Sequence, residues 1–308
     1  MTFIELSEKV LEDLKRPLTS SEIWQIATEK GYDKSIKSKG KTPWATIYSQ
    51  IFTNVRDKPL SKFVIVGSRP KRFYLKRLAD NIDIEKQIEN EEKVRDSKKL
   101  KELSYSEKDL HPFLTYYAYY FLRCYTKTIN HSKSGKKEFG EWVHPDIVGC
   151  CFPIDEWKNE VLEFSNAIYH VSVKFLSFEL KKELSFSNLR ESFFQTVSNS
   201  SWANESYLVA ANISNEEDFI SELTRLSSSF GIGVIRLNIE DPNSTEIILP
   251  AKFKENLDWD TVNKIAMNKD FEAFLKRIKN DTGSKEIRKE EYDKIFEEDE
   301  LLRWIGKK

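Results

Sequence analysis

At 308 residues and 36.2 kDa the chain is long enough for about two domains at ~150 residues each. Its 39% hydrophobic and 32% charged residues can bury a core, which excludes wholesale disorder, and no run approaches the ~18 apolar residues of a membrane span. The net charge of −1 hides an asymmetry: residues 1–78 hold 16 Lys/Arg against 8 Asp/Glu, residues 79–104 hold 6 against 8, and residues 105–308 hold 27 against 34.

The chain begins with acids where an export signal carries a basic flank and an apolar run, so no export signal is expected. Cys124, Cys150 and Cys151 give no even disulfide framework, and with no export signal a reducing cytoplasm is the expected location. Four histidines and three cysteines show no CxxC or HxxxH spacing, which argues against a structural zinc site.

Phe3, Leu6, Val10, Leu11 and Leu14 recur at helical spacing, and Pro17 ends this first helix. Thr19 and Glu22 match a capping box for a second helix, which stops at Gly31. Thr42-Pro43 opens a third, as a hydroxyl cap followed by proline at the first helical position. Trp44, Ile47, Tyr48, Ile51, Phe52 and Val55 carry it. Two short β-like runs, Phe63–Val66 and Phe73–Leu75, flank the cationic turn Gly67-Ser68-Arg69-Pro70-Lys71-Arg72. Three helices and a basic hairpin have the layout of a winged helix-turn-helix, in which one helix enters the major groove and the wing rests on phosphates. From Lys30 to Arg77 there are 13 basic residues against Asp33 and Asp57, a field that favours a polyanion. A solvated basic face without a partner is the other reading of the charge alone.

The order of VLEDLKRPLTSSEIWQIATEKGY, GKTPWATIYSQIF and SKFVIVGSRPKRFYLK resembles the HARE-HTH domain, a winged helix of chromatin proteins and restriction endonucleases. The resemblance covers residues 1–77. It implies double-stranded DNA as a partner, contacted through the third helix and wing by Lys39, Lys41, Thr42, Trp44, Thr46, Arg69, Lys71 and Arg72. The family is also associated with sensing modified bases. A winged helix that docks protein is the alternative.

Residues 79–104 contain no Gly or Pro and intersperse both charge signs among good helix formers, as in an exposed helical linker. Their apolar residues are too sparse for sustained heptads. The remaining 105–308 alternates helical and strand patterns. A buried helix is expected over Leu110–Leu122. Strands are expected at Gly149–Phe152, Val171–Leu180, Tyr207–Ile213, Val234–Ile239 and Ile247–Leu249, with helices at Leu189–Val197, Glu217–Phe230 and Phe271–Ile278. That mix predicts an α/β domain, a sheet flanked by helices.

Two stretches of this domain carry chemistry. Asp146 opens an apolar strand, and Glu179 and Lys181 stand two apart in the long β-run, so they share a face with Leu180 opposite. If Asp146 lies on the adjacent strand, two carboxylates and an ammonium converge. Mg²⁺ takes one or two carboxylates plus substrate phosphate and water. It polarises a scissile phosphate and acidifies a bound water, while a lysine stabilises the charge that develops.

Pro145-Asp146 followed by Glu179-Leu180-Lys181 resembles the PD-(D/E)xK nuclease signature. By that resemblance Asp146 and Glu179 are metal ligands for Mg²⁺ or Mn²⁺ and Lys181 is the catalytic lysine. Gln195 falls where Mrr-like members carry a glutamine near the active site, and Glu107 resembles an accessory acid at the first helix. The two-domain arrangement is similar to HrgA-like restriction-associated proteins. It implies an α+β or α/β two-domain type II-like DNA restriction endonuclease (phosphodiester hydrolase), working as a homodimer or higher assembly, with a cognate DNA methyltransferase as a further partner. The expected domains are 1–78, a linker 79–104, and 105–308.

The bland alternatives are a turn-capping Asp146 and an exposed Glu179–Lys181 ion pair of little worth. A DNA-binding regulator with an inactive nuclease fold remains the second functional reading. His144 reads as a packing or turn histidine, Cys150 and Cys151 as inert core thiols, and Trp142, Trp157 and Trp202 as core aromatics rather than base-stacking platforms. No GxxxxGK[ST] loop, strand-linked GxGxxG or GxSxG elbow is present.

Overall fold

A computed structural model describes residues 1–36, 42–67, 71–79, 105–130, 144–152, 157–167 and 173–305. Lys39, Lys41, Arg69 and Trp142, and the expected linker beyond Ala79, lie outside the described residues. The chain divides into two compact units, Met1–Ser104 and Tyr105–Lys308.

The first unit packs α1 (Phe3–Leu14), α2 (Ser20–Glu29) and α3 (Pro43–Asp57) against a hairpin of β1 (Phe63–Val66) and β2 (Arg72–Leu75), with a short α4 (Lys76–Ala79) after it. Both capping boxes form. Thr2 and Glu5 close the start of α1, and Thr19 and Glu22 close α2, each carboxylate accepting from the cap N–H at 2.8 Å and each hydroxyl from the N3 amide at 3.2 Å. Gly31 takes the left-handed conformation (φ 71°) that lets the chain leave α2. Pro43 heads α3, but the Thr42 hydroxyl makes no cap hydrogen bond. Leu18 pairs with Phe73 through two backbone hydrogen bonds of 3.1 and 2.8 Å, adding a third rung to the hairpin. Leu6, Val10, Leu11, Ile23, Ala27, Ile47, Ile51, Phe73 and Leu75 are buried and form the core.

The second unit is built on a six-stranded mixed sheet in sequential order. Its strands are β3 (Cys124–Thr128), β4 (Ile147–Cys151), β5 (Lys174–Leu184), β6 (Glu205–Ile213), β7 (Gly233–Arg236) and β8 (Glu246–Leu249). β3, β4 and β5 run antiparallel in turn, β5–β6 and β6–β7 are parallel, and β8 returns antiparallel. The helices α5 (His111–Tyr120), α6 (Asn159–Ala167), α7 (Leu189–Ser198), α8 (Glu217–Phe230), α9 (Trp259–Ile265), α10 (Lys269–Ser284) and α11 (Glu298–Ile305) accompany this sheet, together with a 3₁₀ turn at Glu107–Leu110.

Alternation along the strands divides the core between two faces. Thr126 bonds Thr115 of α5 at 2.9 Å, so α5 covers one face. Its neighbour Tyr125 points the other way, into a cluster with Val148, Cys150, Trp202, Phe271 and Phe274. On that second face Leu208, Ala210 and Val234 pack with Phe193 of α7 and Phe219 and Leu223 of α8.

The cysteines depart from expectation. Cys124 and Cys151 face each other in the β3–β4 ladder and form a disulfide, leaving only Cys150 as a buried free thiol. Direct cross-strand opposition brings two Cβ atoms within bonding reach, a relation that counting cysteines does not reveal. Trp202 is core, whereas Trp157 is 40% exposed.

Candidate active site and nucleic-acid interface

The β4–β5 ladder ends at the pair Ile147–Phe178. One step further along the same register Asp146 stands opposite Glu179. The Asp146 carboxylate accepts a hydrogen bond from the Leu180 amide at 2.8 Å, which ties it across the strand gap, and its own carbonyl accepts from Ile129 at 2.9 Å. Lys181 Nζ donates to Glu179 Oε1 at 3.1 Å. Leu180, between them, is buried on the opposite face.

Glu179 is only 1% exposed, because its ladder neighbour on β6 is Leu208 and the α7–α8 layer covers it. Burial, reinforced by the Asp146 charge and a hydrogen bond with it, outweighs the pull of Lys181 and pushes the Glu179 carboxyl up to about 8. The two carboxylates together therefore retain a proton that an isolated glutamate has lost by neutral pH. Burial also works against the Lys181 ammonium, but Glu179, Asp146 and Glu107 prevail and hold its pKa above the ordinary lysine value. Glu107 is exposed on the 3₁₀ turn ahead of α5, and its field reaches Lys181.

Gln195 is less direct. It lies half-buried on α7, and among the described residues its side chain makes no hydrogen bond to Asp146, Glu179 or Lys181. The residue that reaches the site from this helix is Asn199, one turn later at its C-cap. Asn199 is 1% exposed, its amide donates to Glu179 Oε2 at 3.4 Å, and its Oδ1 has no hydrogen-bond partner. The spacing Gln195–Asn199 puts both on one helix face, which is the signal that points to it. His144 is buried next to this cluster in sequence. Among the described residues no group of three or more His, Cys, Asp or Glu is placed to hold a metal ion. Two carboxylates, one of them held neutral by the other, do fit a hard divalent cation that completes its shell with water and phosphate oxygen.

In the first unit the outward face of α3 is Thr46, Ser49, Gln50, Thr53, Arg56 and Asp57. Arg56 and Asp57 form a bidentate pair at 2.6 and 3.0 Å. Thr46 is half-buried and its hydroxyl donates to the Thr42 carbonyl at 3.3 Å. Thr42, 1% exposed, belongs to the interior and not to the contact surface expected of it, because the helix start packs onto the core. Trp44 is half-buried. Lys71 sits 5.1 Å over the Phe52 ring of α3, and Arg72 opens β2 beside it. Ser49, Gln50 and Thr53 did not figure among the expected contacts, since no charge marks them.

Residues 1–73 match the family model HARE-HTH, described as an HTH domain of ASXL and restriction endonuclease proteins. No curated protein and no solved structure matches the chain. Among the described residues no helix is long and apolar enough to cross a membrane.

Proposed function

We propose that the protein is a divalent-metal-dependent DNA endonuclease in which the winged-helix unit holds duplex DNA and the second unit hydrolyses a phosphodiester. The observation that carries this reading is the meeting of Asp146, Glu179 and Lys181 on one sheet face, in a chain whose first 73 residues match a HARE-HTH domain. Asp146 and Glu179 are the residues that would hold Mg²⁺ or Mn²⁺. When bound there, such an ion neutralises charge at the scissile phosphate and acidifies a water.

The remaining work falls to the chain itself. The Leu180 amide fixes the Asp146 carboxylate, and Asn199 fixes Glu179. Lys181, kept protonated by three nearby carboxyl groups, stabilises negative charge as it develops on the phosphate. Cutting both strands requires two such sites, so the working form is an assembly of at least two chains. In a plasmid-nicking assay with Mg²⁺, the wild type relaxes supercoiled DNA and Lys181→Ala lowers the rate by a factor of about a hundred or more, the scale of losing one preorganised electrostatic group.

A second reading is a DNA-binding regulator whose nuclease-like site is silent. It is favoured by the near-complete burial of Glu179 and by the absence, among the described residues, of a third metal-ligating side chain. A wild type that binds DNA but never nicks it, methylated or not, selects this reading.

A further inference from the structure

We infer that α3 reads base edges through an uncharged triplet, Ser49, Gln50 and Thr53, and that Gln50 selects an adenine. This rests on the DNA-binding reading of the first unit and deepens it.

Charge is segregated over this unit. Acids of α1 are paired with cations from elsewhere: Glu8 with Lys62 at 3.0 Å, Asp13 with Lys30 at 2.7 Å, and Glu12 with Arg77. The α1 side is thereby neutralised. Arg56 and Asp57 cancel each other at the far end of α3. What separates them from the wing residues Lys71 and Arg72 is a helix face that is polar without being charged. Ser49, Gln50 and Thr53 are all exposed, and their side chains make no hydrogen bond among the described residues. Elsewhere polar side chains on this unit's helices are engaged: Gln25 with Glu29, Thr28 with the Trp24 carbonyl, and Asn54 with Ser61.

Positions 49, 50 and 53 lie on one side of the helix, so the three groups face out together. A charged helix face binds phosphate of any sequence, whereas amides and hydroxyls with unspent capacity discriminate among bases. Glutamine offers one acceptor and two donors in a plane, which matches N6 and N7 of adenine in the major groove. Lys71 and Arg72, on the adjoining wing, supply the sequence-independent attraction that brings the helix into the groove.

The test is selection of duplexes from a randomised pool by the full chain, followed by competition binding across a salt series. Expected is a fixed adenine in the selected duplexes. Gln50→Ala should relax discrimination at that position by roughly five- to a hundredfold, with affinity for unselected DNA and the salt slope unchanged. Arg72→Ala should instead weaken binding to every duplex and lower the salt slope by about one. Binding without base preference, or a preference that survives Gln50→Ala, overturns this assignment while leaving DNA binding intact. A chain that binds no duplex at all overturns the DNA-binding reading itself.

Discussion

Glu179 is a carboxyl placed where water does not reach, beside a second carboxyl, with one lysine to compensate. Its ordinary value is 4.5, and burial together with Asp146 raises it to about 8. In the folded state it therefore holds a proton that the unfolded chain releases. Stability contributed this way is complete below about pH 4.5 and is lost as pH climbs through about 8. Unfolding free energies from urea titrations with a chelator at pH 5, 7 and 8.5 should fall for the wild type, by a total on the order of a few kcal/mol. Glu179→Gln, which keeps the shape and removes the charge, should flatten that fall. A wild type whose stability is level over this range contradicts the buried, proton-holding pair.

The three central side chains were legible because strand alternation puts residues two apart on one face. Asn199 was not, since its approach to Glu179 depends on how α7 lies over the sheet and no local pattern encodes that. Glu107 was named from a resemblance, and its field reaches Lys181. Gln195 was named in the same way, yet the hydrogen bond to Glu179 comes from the residue one turn away.

Among the elements, strong periodicity gave the firmest readings. The apolar spacing of α1 and the twin caps of α1 and α2 produced helices with the bounds that the residues announce. α8 likewise runs from Glu217 to Phe230, as its pattern predicts. β3 escaped notice because Cys-Tyr-Thr-Lys-Thr has neither a continuous apolar run nor a flanking turn signal, and it became a strand through pairing with β4. The same pairing makes the Cys124–Cys151 bond. Closing 27 residues of chain, it should contribute about 3 kcal/mol by constraining the unfolded state. Cys151→Ser should lower the denaturation midpoint accordingly, and reductant should bring the wild type down to the variant. Equal midpoints for wild type and variant without reductant show that the bond adds nothing.

For the whole molecule, the informative quantity is the distribution of charge between units. The first 78 residues carry a net of +8 and residues 105–308 a net of −7. A polyanion is held by the first and repelled by the second, except where a cation intervenes. Deleting residues 1–78 should weaken duplex binding and flatten the dependence of log affinity on log salt. Fluorescence anisotropy over roughly 50–200 mM salt checks this, within the range where several phosphate contacts change affinity by orders of magnitude. An unchanged slope places the phosphate contacts in the second unit. Net charge of −1 and a pI near 6.5 conceal this polarity entirely, and only a running count along the chain exposes it.

β5 is also a strand governed by parity. Odd positions 177, 179 and 181 look toward α7, while even positions 176, 178 and 180 look toward α5. Inserting one residue ahead of Phe178 puts Phe178 and Leu180 where Glu179 and Lys181 stood, and every position downstream changes sides with them. Two inserted residues restore the alternation and merely lengthen the ribbon. Genetic drift in this segment is thus expected to proceed in even steps, whereas the connections between strands are free to vary by any number.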